Sequence, residues 1–124
     1  MLPFGVEDLV NSGHTVLIEK NAGLASGFSN QMYENSGAKI IDSNKQVYSD
    51  SDLIIKVKEP QENEYSLIKE NQMLFTYFHF AAEKKLLEAM QKSGAASIAY
   101  ETVQDNSGKL PLLIPMSEVA GRLA

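Results

Sequence analysis

Short apolar runs rich in β-branched and aromatic residues recur along this chain, and each gap between them holds a helix-forming stretch closed by a glycine or proline. Such alternation constrains the fold more than any other feature. Strands separated by helices pair in parallel through crossover connections, which places helices against the sheet. The strand candidates are TVLIE at residues 15–19, 39–41, DLIIKV at 52–57, MLFTYF at 73–78 and ASIAY at 96–100. Their near-continuous apolar character predicts strands covered on both faces. Between them, residues 6–11 read as the last turns of a helix that Gly13 ends, and Ser29 reads as the N-cap of a helix through Tyr33 that Gly37 stops. Residues 43–48 give a brief helix, Pro60 leads into a helix over 62–69, and 81–93 carries Ala82, Leu86, Leu87 and Met90 at helical spacing before Gly94. After the polar loop DNSGK, residues 112–124 turn helical from about Ser117. The reading is one doubly wound α/β domain, Rossmann-like, spanning 1–124.

A chain of 124 residues with 44% hydrophobic and 22% charged content can bury one core. A net charge of −5 and scattered Lys and Arg argue against nucleic-acid and anionic-membrane partners. No apolar run approaches the roughly 18 residues of a membrane span, and the first residues lack the pattern of a signal peptide. With zero cysteines, disulfides, thiolate metal sites and cysteine nucleophiles are excluded. The two histidines lie 65 positions apart without an HExxH pattern, so no metal site is expected. The glycines at 23, 27 and 37 form no dinucleotide fingerprint, and Ser117 lacks the setting of a hydrolase nucleophile. A cytoplasmic domain is the expectation.

In open α/β sheets ligands bind beyond the carboxyl ends of the strands. Lys58 follows DLIIKV and His79 follows MLFTYF, 21 positions later, about one strand–helix repeat. Lys58 offers a point charge for a carboxylate or phosphate, or it is a solvated lysine that strand alternation puts on one face with Lys56. His79 can move a proton near neutral pH, or it is a packed histidine between Phe78 and Phe80. His14, next to Gly13, caps a helix or faces solvent. On these grounds the chain is an α/β domain with a crevice able to bind an anion and transfer a proton.

The same segments resemble the N-terminal domain of the alanine dehydrogenase and pyridine nucleotide transhydrogenase family. DLIIKVKEPQENEY looks like its substrate-lysine motif, LFTYFHFAA like its histidine motif, and SIAYETVQ and PLLIPMSEVAGRLA like the two stretches that follow. The opening GHTVLIEKNAGLASGFSNQMYENSGAKI is similar to its first helix-to-strand units, so the likeness runs over essentially the whole chain. With KVKEP and FTYFH both present, the chain looks like the alanine dehydrogenase branch.

The resemblance implies oxidative deamination of L-alanine to pyruvate and ammonia with NAD as hydride acceptor. Lys58 would hold the substrate carboxylate, and His79 would be the general acid/base. Met116 and Ser117 match the stretch that meets the nicotinamide cofactor. The family's carboxylate-gripping arginine and leading strand precede the point where MLPFGVEDL aligns. Its nucleotide-binding domain and assisting aspartate follow SEVAGRLA. The expectation is therefore an incomplete substrate-binding domain, inactive alone, with a homo-oligomer through an exposed sheet edge. A small-acid binding or regulatory module, or a remnant without function, is the alternative.

Overall fold

A computed structural model of the chain describes residues 1–123; Ala124, the end of the predicted last helix, lies outside the described residues. The fold is α/β, and every strand pairing in it is parallel. The chain divides into two compact units, Met1–Ser51 and Asp52–Ala124, each with its own sheet.

The first unit runs α1 (Pro3–Asn11), β1 (Leu17–Glu19), α2 (Asn30–Asn35), β2 (Lys39–Ile41) and α3 (Asn44–Asp50). Helix α1, whose last turns the sequence marks, starts at Pro3, a residue pre-set for a first helical turn. It ends as predicted: the N–H groups of Gly13 and His14 bond back to the carbonyls of Val10 and Leu9, and Gly13 takes the left-handed conformation this needs. His14 itself is exposed. Ser29 caps α2, its hydroxyl accepting from Met32 N at 3.3 Å. Val6, Tyr33 and Ala38 form the buried cluster, with Val10, Val16, Ile18, Phe28 and Ile40 packed around it. The Tyr33 hydroxyl, carried into this cluster, donates to Met1 O at 2.9 Å.

The second unit holds β3 (Leu53–Ile55), β4 (Met73–Thr76), α4 (Lys84–Ser93), β5 (Ala96–Ala99) and α5 (Leu113–Leu123). Its sheet order is β3-β4-β5. One face carries Ile54, Leu74 and Thr76, all buried. Because side chains alternate along a strand, the other face carries Leu53, Ile55, Met73 and Ile98, each about two-fifths exposed. The α/β architecture with parallel strands and intervening helices is the one the sequence predicts.

Several elements begin or end elsewhere than predicted. Residues 62–67 form a 3-10 helix rather than an α-helix, fixed by a capping box between Gln61 and Glu64. Glu64 Oε2 accepts from Gln61 N at 2.7 Å and from Lys56 Nζ at 2.5 Å. Helix α4 starts at Lys84, so Ala82 sits in the preceding turn and is exposed, while Leu86 and Met90 are buried as their spacing requires. Helix α5 starts at Leu113, four residues before Ser117, since Pro115 falls in the first turn where its missing N–H is harmless.

Candidate functional site

Strand β3 stops at Ile55, but the main chain stays tied to its neighbour beyond that point. Lys56 N donates to Phe75 O at 3.2 Å, and Tyr77 N donates to Val57 O at 3.2 Å. Thr76 completes the tie from the inside of the sheet. Its fully buried hydroxyl lies 2.8 Å from Lys58 O, 3.1 Å from Val57 O and 3.3 Å from Tyr77 O. A hydroxyl has one proton to give, and the shortest contact is to Lys58. The Lys58 carbonyl is thereby anchored while its side chain is exposed. Lys56 behaves differently. The chain bends after β3, the alternation that would pair the two lysines on one face is broken, and Lys56 is engaged by Glu64 at the foot of the 3-10 helix.

His79 lies three residues past the end of β4 rather than directly after it. Tyr77 and Phe78 between them are buried and His79 is exposed. Its backbone is left-handed, with φ of 51°. The imidazole stacks on the Tyr77 ring at 6.0 Å between centroids and 11° between planes. Tyr77 in turn meets Tyr100 edge-on at 5.0 Å, and its hydroxyl donates to Leu112 O just before α5. Burial pushes the Tyr100 hydroxyl pKa up, and Tyr77 adds to that.

Glu101 closes the arrangement from the end of β5, in the 3-10 turn Tyr100–Thr102. Its Oε1 accepts from Phe78 N at 3.0 Å and His79 N at 2.8 Å. Burial raises its carboxyl pKa, but the N–H groups of Glu101, His79 and Phe78, with the charge of His79, outweigh burial and leave it below the ordinary 4.5. Such a carboxyl stabilises the fold at pH above its unfolded value and loses that contribution as pH falls through the folded value. Thermal unfolding of Glu101→Gln should therefore depend less steeply on pH below 4.5 than that of the parent, and equal slopes would contradict this assignment.

Met116 and Ser117 lie on α5, which packs near the Tyr100–Thr102 turn. Met116 is half-buried and Ser117 exposed. Lys58 and His79 stand at the carboxyl ends of adjacent strands, linked through Thr76, and α5 is joined to the same region through Tyr77. Sequence reasoning missed Glu101, Thr76 and Tyr77. Glu101 was open to the rule that selected Lys58 and His79, being a charged residue at a strand's carboxyl end. Nothing in the one-dimensional pattern marks Thr76, a β-prone residue inside a strand. Among the described residues no group of three or more His, Asp or Glu could hold a metal ion, and no helix is long and apolar enough to cross a membrane.

Over residues 1–120 the sequence matches the family described as alanine dehydrogenase/PNT, N-terminal domain. It is 54% identical over 122 residues to an alanine dehydrogenase of Staphylococcus epidermidis, covering 98% of this chain and 33% of that protein. With the alanine dehydrogenase of Bacillus subtilis it shares 51% over 124 residues, which is 32% of that protein. The chain thus spans about a third of the length of the curated relatives it matches. A solved L-alanine dehydrogenase superposes with a TM-score of 0.93 at 46% identity, covering 99% of this chain and 34% of that one. A transhydrogenase from Sinorhizobium meliloti gives 0.74 at 26% identity, covering 81% of this chain and 30% of that one. Extended over almost the whole sequence and matched in backbone as well as in residues, this similarity means that the chain belongs to the alanine dehydrogenase/PNT N-terminal domain family.

Proposed function

We propose that this chain is the substrate-binding part of an NAD-dependent alanine dehydrogenase, holding a small amino or keto acid at the carboxyl ends of β3 and β4. The observation that carries this reading is the pairing of two exposed, anchored groups of complementary chemistry. Lys58 is fixed through its carbonyl by Thr76, and His79 is fixed through its N–H by Glu101. A lysine ammonium suits the carboxylate shared by L-alanine and pyruvate, and contributes a charge-assisted bond. The imidazole, with one nitrogen that can give a proton and one that can take it, suits proton exchange with the oxygen or nitrogen on the neighbouring carbon. Met116 and Ser117, on α5 beside this region, are the residues we assign to the nicotinamide side.

No G-x-G-x-x-G dinucleotide fingerprint lies within residues 1–123. A dinucleotide pyrophosphate needs a glycine turn open to a helix N-terminus. The space beside Gly23 is filled by the Tyr33 ring, and Gly13 and Gly37 close helices, so these three glycines offer no such turn. The role proposed for this chain is therefore substrate binding and proton handling, and the isolated chain is not expected to oxidise alanine.

The test is a titration of the isotope-labelled chain with pyruvate, followed at the Lys58 and His79 side-chain resonances. Saturable movement of both is expected, with a Kd of roughly millimolar strength. Lys58→Ala should weaken binding by about tenfold or more, the loss of one charge-assisted contact. If neither residue responds in the parent, or if Lys58→Ala binds as well as the parent, the reading is wrong.

A further inference from the structure

We propose that Glu101 is a positioning residue for His79, acting on its main chain and not on its ring. The inference rests on reading His79 as the proton-transferring group. In a strand, successive N–H groups point in opposite directions along the sheet. The N–H groups of Phe78 and His79 instead converge on one carboxylate oxygen, at 3.0 and 2.8 Å. Two consecutive donors converge only where the residue between them, here Phe78, has left the strand conformation, and His79 follows at once in the left-handed region, with φ of 51°. That conformation is disfavoured for a residue with a Cβ and persists when its surroundings over-determine it. Two features here do so. The Phe78 side chain is fully buried and stacked on Phe80 at 4.6 Å, which holds the residue before the turn. Glu101 holds the entry to the turn, because one acceptor oxygen meets both N–H groups only while the main chain at Phe78 keeps this bend.

The carboxylate's place in the sheet gives the contact its reach. Glu101 follows β5, which pairs with β4, so the residue that clamps His79 belongs to the next strand end. Its charge makes these bonds stronger than neutral ones, and the same N–H groups hold its carboxyl pKa below the ordinary value. Among the described residues no carboxylate accepts from an imidazole nitrogen of His79. The ring is steered by the backbone below it and by the Tyr77 ring against one face, which leaves its nitrogens available to a ligand.

Backbone and ring resonances of the isotope-labelled chain test this. In the parent the amides of Phe78 and His79 should titrate together, with a midpoint below 4.5, as the clamping carboxyl takes up its proton. Glu101→Gln should abolish that step and speed hydrogen exchange at both amides by about 10- to 100-fold. The His79 ring protons should also lose the upfield shift that stacking on Tyr77 confers, and Glu101→Asp should restore part of it. A general loss of stability would move neither the paired titration nor the ring shift selectively. Amides that do not titrate in the parent overturn the clamp even if Glu101→Gln fails to fold. A Glu101→Gln chain with unchanged His79 ring shifts and unchanged pyruvate binding overturns the positioning role. Absence of pyruvate binding in the parent overturns the proposed function instead, and the amides still decide the clamp.

Discussion

Phe78→Ala should lower the unfolding free energy by about 3–5 kcal/mol, the range for truncating a fully buried aromatic. Phe78 is 0% exposed and its ring stacks on Phe80 at 4.6 Å and 15°. Truncation removes the transfer contribution of the ring and leaves a void that the short strands around it are badly placed to fill. The flanking residues are themselves tied, since Tyr77 N is bonded to Val57 O and His79 N to Glu101. Collapse into the void would therefore break main-chain hydrogen bonds. Urea unfolding followed by circular dichroism measures the effect, and tyrosine fluorescence is a second probe in a chain with five tyrosines and no tryptophan. A loss below about 1 kcal/mol, typical of a surface change, would show that the side chain is not packed as described.

The second large effect is expected from a much smaller substitution. At Gly23 the backbone is ordinary, with φ of −94°. An added Cβ, however, would lie 2.5 Å from both Cε2 and Oη of Tyr33. That ring is not a loose end: it is 4% exposed, packs edge-on to Phe28 and donates its hydroxyl proton to Met1 O. Gly23→Ala must displace it, at about 1–3 kcal/mol for overpacking a core. Gly27→Ala is the control. Nothing lies within 4 Å of its missing Cβ, but its φ is 83°, so only the backbone penalty of about 1 kcal/mol applies. Thermal melts should rank Gly23→Ala below Gly27→Ala. The reverse order would mean that Tyr33 moves aside freely.

The sequence made the alternation of strands and helices legible because each signal is local. β-Branched runs, Ser29 as a cap and Gly13, Gly37 and Gly94 as terminators act within a few residues of themselves. Boundaries were less legible wherever a distant partner decides them. Strand β3 stops at Ile55 although Lys56 and Val57 still look β-prone, because the chain bends to meet Thr76 and Glu64. The 3-10 form of Glu62–Leu67 depends on Gln61 and Glu64 capping each other while Lys56 draws on the same carboxylate. The division into two sheets is likewise a matter of pairing, which no local run encodes. For the candidate site, the strand-end rule singled out two side chains that prove exposed, Lys58 and His79. It could not find Thr76, whose contribution is one buried hydroxyl facing a main-chain carbonyl, nor foresee that Glu101 would spend its charge on two N–H groups.

The left-handed backbone at His79 has a consequence for anyone redesigning this protein. Glycine adopts that conformation freely, whereas a side chain there is disfavoured by on the order of 1 kcal/mol. A search for thermostability alone would therefore replace the histidine with glycine and report success, having erased the imidazole. Backbone conformation alone favours glycine over histidine here, so a stabilised variant of this scaffold has to be chosen with residue 79 held fixed.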